Sequence, residues 1–150
     1  MRNLYQPSDV EQIRERLARL QPDSPRQWGT MNASQAMAHC ATAMEWAVGD
    51  RIPPRMGLPS LLGRIIKSKV IGDDAPIRRN SPTAKELVVV DQCDLNAERE
   101  RLTSLIDRFA AAGPAGCSTH PHPFFGRMTP DDWAILTYKH LDHHLRQFGV

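Results

Sequence analysis

The sequence predicts an all-α protein, a bundle of four main helices with one shorter helix and long crossovers. Three observations carry this. Apolar residues return at three- and four-residue steps in several segments, as the buried stripe of a helix requires. Most of those segments open on a capping residue. The one strand-like run, "ELVVV", stands alone, and a single strand makes no sheet.

Taken in order, Ser8 and Glu11 have the spacing of a capping box, and Val10, Ile13, Leu17 and Leu20 follow at helical intervals, so a first helix is expected over about 8–20. "QPDSPRQWGTM" then breaks the chain with two prolines and a glycine. Asn32 and Gln35 form a second box, opening a helix over about 33–48 that is rich in Ala and Met and ends at Gly49-Asp50 and Pro53-Pro54. Residues 50–57 read as a loop. "PSLLGRIIKSKVI" reads as a shorter amphipathic helix with Leu61, Leu62, Ile65 and Ile66 on its buried side and a weakening Gly63. From Gly72 to Asp94 the chain is irregular, with "ELVVV" as an extended crossover. Asp94 caps a helix over about 95–112, with Leu95, Leu102, Leu105, Ile106 and Phe109 inward and Gly113-Pro114 as its stop. The long loop "GPAGCSTHPHPFFGRM" leads to Thr129, an N-cap, followed by Pro130 and two aspartates suited to a helix N-terminus. The last helix is expected over about 130–148.

Length and composition set the remaining bounds. A chain of 150 residues can bury a real core, and one domain over 1–150 is expected. With 41% hydrophobic and 24% charged residues it reads as a soluble globular protein. A net charge of +2, without a basic stripe interleaved with aromatics, argues against nucleic acid as a partner. No apolar run approaches the roughly 20 residues of a membrane span, and the first residues carry no signal core. Cys40, Cys93 and Cys117 are odd in number and lack CxxC spacing, which fits reduced thiols and a cytoplasmic location.

The histidines carry the chemistry. Trp133, Leu136, His140, His144 and Phe148 recur along one face of the last helix. His140 and His144 are separated by about 40° around the axis and roughly 6 Å along it, so both imidazoles can converge on one ion. His143 and His144 diverge by about 100°, whereas His140 with His143 is also geometrically open. Placing imidazoles on an otherwise buried face is costly unless they have partners. His39 lies midway along the second helix among small neighbours, Thr42 and Ala43, which leave room beside it. One ligand from that helix and an i,i+4 pair from the last give three neutral nitrogen donors, the pattern of a catalytic zinc site with an open position. Cys40 points about 100° away from His39 and is no ligand. Candidates for proton transfer or substrate positioning near the site are His143, His122, Tyr138 and Gln147. His122 sits in the proline-stiffened "HPHPFFG" loop, which either walls the pocket or plugs the bundle end with Phe124 and Phe125; His120 is expected to meet solvent. Asp142 either orients a histidine of the next turn or, as expected, meets solvent; Trp28 and Trp46 are expected in core or entry packing rather than in a substrate cage.

"SQAMAHC" and "KHLDHHLRQ", the latter of the form HxxHHxxQ, resemble the DinB-like (YfiT-like) superfamily of metal-binding four-helix bundles. "WGTMNASQAMAHC" with "HPFFGRMTPDDWAILTYKHLDHHLRQFGV" is more closely similar to a bacterial subfamily without an assigned reaction, and the likeness spans nearly the whole chain. The resemblance implies a bundle of up-down-down-up type and a divalent transition metal held by His39, His140 and His144. His143 matches the further histidine beside the second C-terminal ligand, and Gln147 the glutamine that ends the motif. Imidazole suits zinc, nickel, copper and iron alike, so the ligands do not name the ion; zinc is expected from its frequency, with nickel, iron and manganese left open. Some relatives use low-molecular-weight thiols, such as mycothiol or bacillithiol, in isomerisation or conjugation.

Two classes of function compete. One is a metal-dependent enzyme acting on a small molecule, either a thiol-dependent transferase or a hydrolase. The other is a non-catalytic protein that binds a metal or small ligand, kept in play because no glutamate of the HExxH kind marks a general base. A homodimer is expected on the family resemblance.

Overall fold

Among the described residues, which are 1–54 and 60–150 with the Ser60 side chain excluded, five α-helices follow one another. They are α1 (Pro7–Arg19), α2 (Ala33–Val48), α3 (Ser60–Ile71), α4 (Leu95–Ala112) and α5 (Pro130–Gln147) in this computed structural model. Residues 55–57 of the expected loop, and Pro59 at the expected head of the third helix, lie outside the described residues. Single 3-10 turns occupy Lys85–Leu87 and Gly113–Gly116. No strand occurs among the described residues; one antiparallel bridge pairs His122 with Gly126. The fold is an all-α bundle, as the periodicity predicts, and "ELVVV" runs as the end of a 3-10 turn, extended backbone at Val88 and then irregular chain.

Three helix starts form as the cap residues dictate. Asn32 and Gln35 close a capping box at α2, Asp94 accepts from the Ala97 N–H at α4, and Thr129 with Asp132 closes a second box at α5. The box expected at Ser8 and Glu11 does not form. Pro7, whose fixed φ suits a first helical position, starts α1 one residue earlier, with Gln6 as a cap that makes no side-chain bond. The Asp9 carboxylate instead accepts the Asn3 N–H at 3.0 Å, tying the preceding segment to the helix.

α2 is the central helix. Ala36, Ala41 and Ala47 let it approach neighbours closely, and it packs most extensively along α4 while also touching α5 and the 85–87 turn. α1 lies against α4 and α5, and α3 rests on α5. The core fills with Ile13, Leu17, Met37, Leu102, Ile106 and Leu141, all fully buried. Burying such a side chain contributes about 1.5–3 kcal/mol.

α5 has a second buried face toward α1. Asp142, expected at the surface, is engaged there: Arg16 donates from Nη1 to its Oδ1 at 2.7 Å, and Arg146 Nε lies 2.8 Å from its Oδ2. The Arg16 and Asp142 side chains are only 10% and 13% exposed, so solvent screens the pair weakly. Arg16 also donates to the main-chain oxygen of Val150 from Nε at 3.1 Å and Nη2 at 2.9 Å, pinning the end of α5.

α3 reverses its expected orientation. Leu61, Leu62 and Ile65 are 68%, 42% and 47% exposed, and Ile66 is half-buried. Gly63, Lys67, Val70 and Ile71, at helical spacing, turn inward instead. The reason is contact distance: a Cβ at Gly63 would lie 2.7 Å from the Phe124 carbonyl oxygen, so only glycine lets α3 settle on the 122–126 turn. Lys67 Nζ then reaches Asp132 at 2.8 Å. On an exposed helix, Gly→Ala would gain about 1 kcal/mol. At Gly63 the clash, about 1–3 kcal/mol for overpacking, should win. Net of that gain, Gly63→Ala is expected to cost up to about 2 kcal/mol and to lower Tm by up to about 8 °C; a higher Tm on thermal unfolding would show that α3 does not press on the turn.

The crossover between α3 and α4 folds back over α2 and α5. Lys139 donates from Nζ to the Asp73 carbonyl at 2.9 Å, and two histidines hold it further along, at Ile77 and Leu87. These bonds bring the crossover to the imidazoles.

Candidate metal centre

His39 on α2 and His140 and His144 on α5 come together. One ligand atom from each lies within 4.8 Å of the others, and the group could hold a metal ion. Helical spacing puts His140 and His144 on one face, and the contact of α2 with α5 supplies His39. Ring centroids are 4.7 Å apart for His39 and His144, and 4.8 Å for both His39–His140 and His140–His144.

The outer nitrogens are oriented by acceptors. His39 Nδ1 lies 2.8 Å from the Leu87 carbonyl oxygen, which can only accept, so the proton is on Nδ1 and Nε2 carries a lone pair. His144 Nδ1 donates to Gln147 Oε1 at 2.8 Å, leaving its Nε2 free in the same way. Gln147 Nε2 in turn donates to the Trp28 carbonyl at 2.9 Å. Gly29, at φ +76°, permits this approach, since a Cβ there would lie 2.6 Å from Gln147 Nε2. His39 and His140 meet Nε2 to Nε2 at 2.8 Å. With His39 Nε2 unprotonated, His140 Nε2–H donates to it. Two nitrogens bound tetrahedrally to one ion stand about 3.3 Å apart, so this pair must open by about 0.5 Å and His140 must shift its proton to Nδ1 to bind.

Burial keeps the donors neutral. It lowers the pKa of His39, takes His140 well below the usual imidazole range, and brings His144 down to about 3; the neighbouring histidines push the same way. His39 and His144 are buried, while His140 remains partly accessible from the cavities beside it. Three neutral imidazoles with two fixed tautomers suit a divalent transition metal.

The triad opens into a cavity of about 600 Å³, which Trp28, Gln35, Asn80, Thr83, Val89 and His143 help to line. His143 donates from Nδ1 to the Ile77 carbonyl at 3.2 Å, and burial lowers its pKa, so its Nε2 is a neutral acceptor. The Trp28 indole N–H is buried without an acceptor among the described residues.

The other candidates fall elsewhere. His122 lies in a neighbouring apolar cavity, stacked on Phe125 at 4.4 Å, its pKa lowered to about 3 by burial. Its Nδ1 accepts from the Phe124 and Phe125 N–H groups at 3.2 and 3.4 Å, which places its proton on Nε2. The structure does not bring Tyr138 to the triad. Its hydroxyl donates to Gln12 at 2.8 Å and accepts from Arg2 at 2.9 Å, on the α1 side. Tyr138 precedes His140 by two residues, about 200° around the helix, so the spacing itself directs it away. His120 is exposed, as expected, and Cys40 is buried with its thiol pKa pushed up by desolvation. Sequence reasoning missed Gly29 and the carbonyls of Leu87, Ile77 and Trp28. A positive-φ glycine beside the motif glutamine leaves only a weak trace, and main-chain acceptors leave none.

A family model described as "Protein of unknown function (DUF1569)" matches residues 2–149. No curated protein and no solved structure matches the chain. Among the described residues, no helix is long and apolar enough to cross a membrane.

Proposed function

Because the chain belongs to the DUF1569 family, a DinB/YfiT-like family whose function is not assigned, its chemistry has to be argued from its own residues, and we propose a metal-dependent enzyme acting on a small molecule. The observation that carries this reading is the open side of the triad: three histidines make up the group among the described residues, and they line a cavity of about 600 Å³. A fourth protein ligand closing the shell would have favoured a structural ion.

His39, His140 and His144 would hold the ion. Bound there, it supplies Lewis acidity to an oxygen or sulfur donor of the substrate or co-substrate. The protein's own residues do the rest. Leu87 and Gln147 hold two imidazoles in the tautomer that offers Nε2. His143, neutral and with its proton held on Nδ1, takes up a proton at Nε2. Asn80, Ser81 and Thr30 on the cavity wall position polar parts of the substrate. Activating a thiol for transfer and activating water for hydrolysis both need this set, and the polar lining serves either.

The test uses protein purified without a nickel column, with metal counted by mass spectrometry, and then the cobalt-substituted form. Adding acetohydroxamate or low-molecular-weight thiols should change the visible spectrum, with a sulfur-to-cobalt band for the thiols if transfer is the reaction. A spectrum indifferent to all of them would mean a closed shell and a purely structural ion.

A further inference from the structure

A second cavity of about 130 Å³ adjoins the triad, walled by Trp46, Phe124, Phe125, Trp133 and Leu136. α2, the 122–126 turn and α5 each contribute to it. His140 lines this cavity as well as the larger one, and so do Pro82, Thr83 and Leu87 of the crossover. The two spaces therefore meet at the most accessible ligand of the triad. Apolar cavities destabilise a fold unless something fills them, and one near 150 Å³ is enough to take benzene. Two N–H groups stand among the wall residues: the Trp133 indole N–H, buried without an acceptor among the described residues, and His122 Nε2–H. An aromatic group, whose face or ring substituent accepts weak hydrogen bonds, suits such walls better than an alkyl chain.

We propose that this cavity is a specificity pocket: the site takes a small molecule whose metal-binding head sits in the larger cavity and whose aryl group passes His140 into the pocket formed by Trp46, Phe124, Phe125 and Trp133. The inference rests on the metal-centre reading and adds the substrate class. α3 adds Val70 to the wall and also acts indirectly, since its contact at Gly63 holds the turn that carries Phe124 and Phe125.

The cobalt-substituted protein is titrated, by visible absorption, with acetohydroxamate, benzohydroxamate, phenylacetohydroxamate and 3-phenylpropionohydroxamate. All share one head; the aryl group stands at increasing distance from it. At least one aryl member should bind about tenfold or more tightly than acetohydroxamate, the discrimination a well-filled apolar pocket gives. Val70→Phe and Leu136→Phe each add volume to a wall residue of the cavity. Either variant should abolish the aryl gain and leave acetohydroxamate affinity unchanged, which also shows that the variant is folded. Equal affinities across the series, or an aryl gain that survives both fillings, overturns the pocket while the metal centre stands. A spectrum that ignores acetohydroxamate as well overturns the open coordination position, and the pocket with it, leaving a purely structural ion.

Discussion

His144→Ala is expected to strip the protein of most of its metal. The variant leaves His39 and His140 on different helices, and two monodentate ligands hold a labile ion poorly. A graded series makes the expectation sharp. Removing an oriented partner of a ligand typically costs 10–100-fold in affinity, so Gln147→Leu, which leaves His144 Nδ1–H without its acceptor, should fall in that range. His144→Ala should lose more, and His120→Ala, at an exposed residue outside the cavity, nothing. Metal-to-protein ratios after dialysis against a weak chelator read the order directly. Full occupancy in His144→Ala, or equal loss in His144→Ala and His120→Ala, would sink the ligand assignment. Acid should work the same way. Burial depresses the imidazole pKa values, His144 to about 3, so protons compete for the nitrogens only well below imidazole's usual 6.5. The metal-free fold has the matching sign: unfolded histidines take up protons below about 6.5 that the buried ones refuse, so stability falls with pH from there toward 3, by up to about 1.4 kcal/mol per pH unit for each such histidine.

Arg16→Met is expected to cost about 3 kcal/mol of stability and to leave metal affinity untouched. Removing one partner of a buried ion pair costs about 3–5 kcal/mol, because the other charge is left desolvated. Asp142 keeps Arg146, which places the effect at the lower end. The main-chain oxygen of Val150 loses both of its bonds to Arg16, loosening the end of α5. For a domain of this size the change is roughly 6–12 °C in Tm. Arg16→Lys should recover only part of it, since an ammonium cannot span Asp142 and Val150 as the guanidinium fork does. Asp142 lies two residues from both His140 and His144, on the other side of α5, so the metal centre should not respond. A variant that unfolds at the wild-type temperature would place Arg16 in solvent.

The sequence made the bundle legible where local chemistry decides. Asn32, Asp94 and Thr129 each satisfy an exposed N–H of their own helix, and those starts follow from a few residues. The grouping of the three histidines was legible for the same reason: His140 and His144 share a face by helical arithmetic, and an Ala-rich α2 can bring His39 close. α3 was not legible. Its amphipathic stripe of Leu61, Leu62 and Ile65 implied a covered face, but the Phe124 carbonyl that selects Gly63 belongs to a turn about sixty residues away. Ser8 and Glu11 had the spacing of a box but lost to Pro7, whose ring fixes the start earlier. Asp142 looked like solvent-facing charge because its partner, Arg16, lies on another helix.

The crossover between α3 and α4 would tempt anyone engineering a smaller version of this protein. Entropy gives little reason to trim it, since halving a loop changes its closure cost by only about 0.6 kcal/mol. What trimming would change is the polarity of a ligand. Without the Leu87 carbonyl, the proton on His39 Nδ1 is free to move to Nε2, and the ring then presents a hydrogen where it had offered an electron pair. A deletion that touches none of the three histidines would thus act as an inverted donor at one of them.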